Sequence, residues 1–199
     1  MTTTIEDRSY TADEFLSLPD ADRFELLHGK LVERNVGFEA DWIAARVLFL
    51  IEFFLQQRPL GYAVGAQATY ACFPDDPRHA PRPDVSFVRF GRFPDDKLPK
   101  GYSRIRPDLV VEVVSPNDSA DELSEKIADF QSVGVPLIWV VYPSTRRVLI
   151  HRLPTDPAGR VSELAESDTL SGESVLPGFS CPVAEIFRIP TPPKQAESL

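Results

Sequence analysis

Glu112 stands inside the apolar run Leu109–Val114, and its neighbours two positions away, Val110 and Val114, are apolar. Simple alternation therefore cannot place it on a solvent face. A lone carboxylate in such a strand is costly unless a cation, hydrogen bonds or a proton accompanies it. Lys126 is a second misfit: Leu123, Ile127 and Phe130 form an apolar helical stripe, and Lys126 falls within or beside it. Asp84 follows Pro83 at the start of Val85–Phe90, and Glu25 lies between Phe24 and Leu26. Two or three carboxylates with one lysine form a specific kit. Carboxylates bind Mg²⁺, which keeps several waters and lowers the pKa of one of them. The lysine positions that water or neutralises developing charge. Together they suit hydrolysis of a phosphodiester.

Each residue also has a plainer reading. Glu112 at a crevice exposes one side chain, Lys126 snorkels outward over its own stem, and Asp84 is solvated at a strand end. Asp108, also after a proline and just before the Glu112 strand, competes for any role given to Asp84. No G-x-S-x-G, P-loop or G-x-G-x-x-G motif is present. His28, His79 and His151 are scattered without metal-ligand spacing, which predicts surface or locally hydrogen-bonded histidines.

These residues need elements to position them. Thr11-Ala12-Asp13-Glu14 has the form of a capping box, predicting a short helix to about Leu18. Arg23–Leu27 and Lys30–Arg34 flank His28-Gly29 as a hairpin. Glu39–Gln57 carries a broad apolar stripe and reads as the longest helix. Tyr62–Phe73, Val85–Phe90 and Leu109–Val114 read as strands, the last fully buried. Ser115–Asp118 breaks that strand and offers an N-cap to a helix over Ser119–Ser132, which stops at Gly134. Leu137–Tyr142 and Arg146–Leu153 pair through Pro143-Ser144-Thr145, and Arg160–Ser167 and Ser174–Leu176 extend the sheet. A loose tail is expected from about Pro190.

The chain has 199 residues, within the range of one domain, and no internal repeat. No apolar run reaches membrane-spanning length, the N-terminus lacks a secretion signal, and two cysteines are too few for a disulfide framework. A cytoplasmic protein with no membrane association is expected. The net charge of −9 argues against nonspecific coating of nucleic acid. The charge is uneven, however: Arg78–Arg106 holds eight Lys/Arg and three Asp, a net +5 against −14 elsewhere. That segment reads either as a solvated loop or as an anion-binding surface, with Arg78, Arg82 and Arg89 as candidate nucleic-acid contacts.

Read in order, Arg23–Glu33, Arg82-Pro83-Asp84-Val85, Pro107–Pro116, Glu125-Lys126 and Gly134–Val140 resemble the Uma-two family of PD-(D/E)xK endonucleases. The resemblance covers roughly residues 10–155. It implies an α/β fold of the α+β mixed-sheet kind, with a restriction-endonuclease-like αβββαβ core whose central sheet is flanked by helices. It implies Mg²⁺-dependent cleavage of DNA, with Mn²⁺ as a substitute. By position, Asp84 and Glu112 are the metal ligands with the Val113 carbonyl as a further one, and Glu25 is the family's early acidic residue. The superfamily's lysine position is Val114 here, so Lys126 on the next helix takes that role. His28 stands where the family often has Asp. Three readings follow: a DNA endonuclease, a catalytically inactive nucleic-acid-binding or protein-interaction module on the same fold, and a hydrolase of some other phosphoester. The long apolar helix and exposed strand edges also suggest a homodimer.

Overall fold

The computed structural model describes residues 8–34, 37–153 and 161–190. The sheet that organises them has six strands in the order β3 (Gly61–Gly65), β4 (Val85–Arg89), β5 (Leu109–Val113), β6 (Leu137–Tyr142), β7 (Arg147–Arg152) and β8 (Val161–Leu164). All neighbours are antiparallel except β5 and β6. Parallel neighbours need a crossover, and helix α3 (Ala120–Ser132) supplies it.

The two central strands are buried along most of their length, as their continuous apolar sequences require. Leu109, Val111 and Val113 face one layer, packing with Trp139, Val141 and the inner residues of helix α2 (Phe38–Gln57). Val110 faces the other, with Ile138, Val140 and Phe130 of α3. Residues two apart share a face, so Glu112 belongs to the α3 side. Gly61 lets β3 approach β4 closely: a Cβ there would lie 2.2 Å from the Val88 carbonyl oxygen.

Helix α1 (Ala12–Leu16) carries the expected capping box between Thr11 and Glu14. β1 (Phe24–Leu27) and β2 (Lys30–Glu33) form a separate antiparallel hairpin. His28 and Gly29 both take positive φ, 49° and 87°, as a tight two-residue hairpin turn demands.

Several boundaries differ from the sequence expectation. Only residues 62–65 of the expected Tyr62–Phe73 strand join the sheet, as part of β3. The remainder bonds to loops instead: Tyr70 N–H to the Pro81 carbonyl, and Ala71 N–H to that of Ser103. α3 is capped by Ser119 rather than within Ser115–Asp118, through a capping box with Glu122. β8 extends the sheet as expected, but Ser174–Leu176 does not. Nearby, β9 (Thr169–Ser171) pairs with β10 (Ser180–Pro182), and helix α4 (Val183–Ile186) follows. The expected tail lies almost wholly outside the described residues. No helix among the described residues is long and apolar enough to cross a membrane.

Candidate active site

The strand end that carries Glu112 is closed on one side by α3. Lys126 lies in the second turn of that helix, and its Nζ reaches back to 3.0 Å from Glu112 Oε2. The same ammonium donates to Glu25 Oε1 at 3.3 Å and to the Arg82 carbonyl at 3.1 Å. Its three donors are therefore all engaged. Asp84, just before β4, accepts the Val113 N–H at 2.7 Å through Oδ2. This bond ties Asp84 to the end of β5.

A second cation completes the cluster. Arg34 follows β2; its Nε lies 3.3 Å from Glu25 Oε1 and its Nη2 3.5 Å from Asp84 Oδ1. Its Nη1 donates to the Ala66 carbonyl at 2.7 Å. Sequence reasoning missed Arg34, although a signal existed. The hairpin register pairs Glu25 with Val32, and Arg34, two residues further on, shares their face.

Three carboxylates thus meet two cations in a cleft of about 150 Å³, whose lining includes all five residues and Val113. Exposed Glu33, Asp118 and Glu122 add more acid around it. Glu112 is 6% exposed, and among the described residues its Oε1 has no hydrogen-bond partner. Burial pushes the Glu112 carboxyl above its ordinary value, against the attraction of Lys126 and helped by repulsion from Asp84 and Glu25. Burial also raises Asp84, opposed by Lys126, the Val113 N–H and Arg34. Burial works against the Lys126 ammonium, but Glu112, Glu25 and Asp84 outweigh it and raise its pKa. Lys126 is therefore charged at neutral pH. An orphaned buried oxygen within an excess of carboxylates is a donor set that fits a hard divalent cation.

The structure brings Glu25, Asp84, Glu112, Val113 and Lys126 together, and it separates them from the competitor. Asp108 lies at the far end of β5, where Oδ2 accepts the Arg89 N–H at 2.9 Å and Oδ1 pairs with Arg92 at 2.6 Å.

The three arginines expected to contact nucleic acid are dispersed. Arg82 is 4% exposed; its Nε donates to Thr69 Oγ1 at 2.7 Å, its Nη1 to the Asp22 carbonyl at 3.0 Å, and its guanidinium covers the Phe15 ring. It braces the fold and has no free face for a phosphate. Arg89 bonds the carbonyls of Ser174 and Val175 at the end of β4 opposite Asp84. The part of the positive segment that joins β4 to β5 leaves the sheet at that same end, away from Glu112 and Lys126. Arg78 is exposed and pairs with Asp76 beside the β1–β2 turn.

Two histidines read as scattered are in fact together. The rings of His28 and His79 stack with centroids 4.3 Å apart and 15° between planes. Their Nε2 atoms lie 3.4 and 3.2 Å from Asp129 Oδ2, and His28 Nδ1 lies 2.9 Å from Asp76 Oδ2. His79 is 1% exposed, not a surface residue. His79 Nδ1 accepts the His28 N–H at 3.3 Å, and both rings lie against Asp129 of α3. The group therefore fastens the hairpin to α3, one turn from Lys126.

Comparison with known proteins bears on the fold and on the family. A crystal structure described as a "putative nuclease belonging to DUF820" from Anabaena variabilis superposes with a TM-score of 0.73 at 20% identity, covering 89% of this chain and 97% of that one. At that identity the likeness concerns the fold, a mixed six-stranded sheet flanked by helices. No curated protein matches the chain. The Uma2 (Uma-two) family, described as "Putative restriction endonuclease", matches residues 12–184, and the chain belongs to that family.

Proposed function

We propose that the protein is a Mg²⁺-dependent endonuclease that hydrolyses phosphodiester bonds in DNA, with Mn²⁺ able to substitute. The observation that carries this reading is the pairing of Lys126 with Glu112 at 3.0 Å, while Glu112, in the cleft that Asp84 also lines, keeps a second oxygen with no hydrogen-bond partner among the described residues. Asp84 and Glu112 would hold the cation, with the Val113 carbonyl as a further ligand. When bound, the cation supplies an activated water and offsets charge on the phosphate.

The chain's own residues do the remainder. Asp84, held by the Val113 N–H, keeps a fixed orientation at the strand ends. Lys126 presents a charged ammonium that can leave Glu25 for a phosphate oxygen while keeping Glu112, which stabilises charge that grows in the transition state. Arg34 balances Glu25 and Asp84 until substrate arrives. The family and its nuclease-like fold support hydrolysis of nucleic acid. The test is nicking of supercoiled plasmid. Wild type should nick with Mg²⁺ and stop when the ion is chelated, and Glu112→Gln and Lys126→Ala should lose nicking while remaining folded. Cleavage retained by both variants would overturn the assignment.

One observation favours a second reading. Lys126 and Arg34 already pair with all three carboxylates, and Glu33, Asp118 and Glu122 make the surroundings repulsive to a polyanion. A catalytically silent interaction module would look the same. Calorimetry separates the two: Mg²⁺ or Mn²⁺ binding that requires Asp84 supports the enzyme, and no binding supports the module.

A further inference from the structure

Helix α2 buries Ala40, Ile43, Ala44, Val47, Ile51 and Leu55 against the sheet. Its other face is also apolar. Phe38 is 91% exposed, Phe49 54%, Phe53 53% and Trp42 38%. At 3.6 residues per turn these four fall within an arc of about 60°. The Phe49 and Phe53 rings stack, with centroids 6.0 Å apart. Together they offer roughly 500 Å² of aromatic surface. Single exposed aromatics need no explanation, but a contiguous stripe of this size marks an interaction surface.

The spacing identifies the occupant. Trp42 and Phe49 are equidistant from the midpoint between Ala45 and Arg46, and so are Phe38 and Phe53. The stripe reads the same from either end. We propose that it pairs with a second copy of itself, two α2 helices lying antiparallel about a twofold axis between Ala45 and Arg46. In that register Trp42 meets the partner's Phe49 and Phe38 meets the partner's Phe53, so one contact covers all four stripe aromatics of each chain. Ala45, exposed and small, lets the helices approach at the axis. Arg46 brings no uncompensated charge there, because Glu185 Oε2 lies 3.5 Å from it and its guanidinium rests over Phe49. Antiparallel helices also set opposite dipole ends side by side, which a parallel pair does not. The stripe needs flanking side chains to reach the roughly 800 Å² per partner of a standard interface. Asp41, Glu52 and Gln56 border it as a polar rim. This pairing is independent of the nuclease reading.

Sedimentation velocity on the full chain should give a dimer, and Phe49→Glu should give a monomer with an unchanged far-ultraviolet spectrum. Cross-linking tests the register without removing an aromatic. In a Cys72→Ser background, Ala45→Cys should be joined to itself by a short bis-maleimide. Gln56→Cys should not, because residues 56 of the two chains would lie about 30 Å apart at 1.5 Å per residue. A monomeric wild type, a dimer that survives Phe49→Glu, or equal cross-linking at both positions would overturn the proposal.

Discussion

Lys126 and Glu112 meet at 3.0 Å although they lie on different elements, one on a helix and one on a buried strand. Both side chains are shielded from water, so neither charge tolerates loss of the other well. Lys126→Met should destabilise the protein by about 3 kcal/mol at neutral pH, because it leaves buried carboxylates uncompensated. Adding Glu112→Gln should recover part of that loss. Urea unfolding of the two single variants and the double variant measures the coupling. Strictly additive effects would show that the pair is not energetically linked.

Divalent cations should stabilise the folded chain. A ligand that binds only the native state raises the melting temperature in a saturable way. Mg²⁺ and Mn²⁺ should therefore raise the Tm of wild type and leave Asp84→Asn and Glu112→Gln unmoved. An equal rise in all three proteins would place the binding elsewhere.

Arg34 holds Glu25 and Asp84 in the resting cleft, where it competes with any added cation for the same oxygens. Arg34→Gln should bind Mn²⁺ several-fold more tightly by calorimetry. It should also be less stable than wild type without metal, because like-charged carboxylates are left closer to unopposed. Weaker Mn²⁺ binding would show that Arg34 organises the ligands rather than shielding them.

Arg82 should behave as a structural residue. Its guanidinium is buried against Thr69, the Asp22 carbonyl and Phe15, so Arg82→Ala should cost about 2–3 kcal/mol of stability. The salt dependence of DNA binding measured on Arg82→Ala should keep the wild-type slope, since no phosphate contact is removed. A slope lower by about one with unchanged stability would return Arg82 to the surface role read from sequence.

The pH dependence of stability should carry a signature from His28. Its hydrogen bond to Asp76, with the nearby Asp129 carboxylate, raises its pKa above the ordinary value. A raised histidine contributes stability that is fully present below its unfolded pKa, about 6.5, and is lost as pH rises through the folded value. His28→Asn keeps a residue tolerant of positive φ. The Tm gap between wild type and His28→Asn should be widest at about pH 5.5, below the unfolded value, and narrow as the pH rises above it. Melting curves that shift in parallel across this range would exclude the effect.

Local signals in the sequence determined much of the architecture. The Thr11 and Ser119 capping boxes, the His28-Gly29 turn, the α2 stripe and the apolar runs of β5 and β6 each depend on residues close in the chain. Glu112 and Lys126 were legible for the same reason, as charges that break a local apolar period. Their partners were not. Arg34 in the cleft, the stacked His28 and His79, and the burial of Arg82 depend on how distant segments dock. Period and propensity do not encode such contacts. The positive loop gives the clearest case. Its charge was plain from composition, but only the antiparallel pairing of β4 with β5 decided that it leaves the sheet at the Asp108 end. Antiparallel pairing sets the start of β4 beside the end of β5, where Asp84 meets Val113, and the end of β4 beside the start of β5, where Arg89 meets Asp108, and only the assembled sheet makes that pairing.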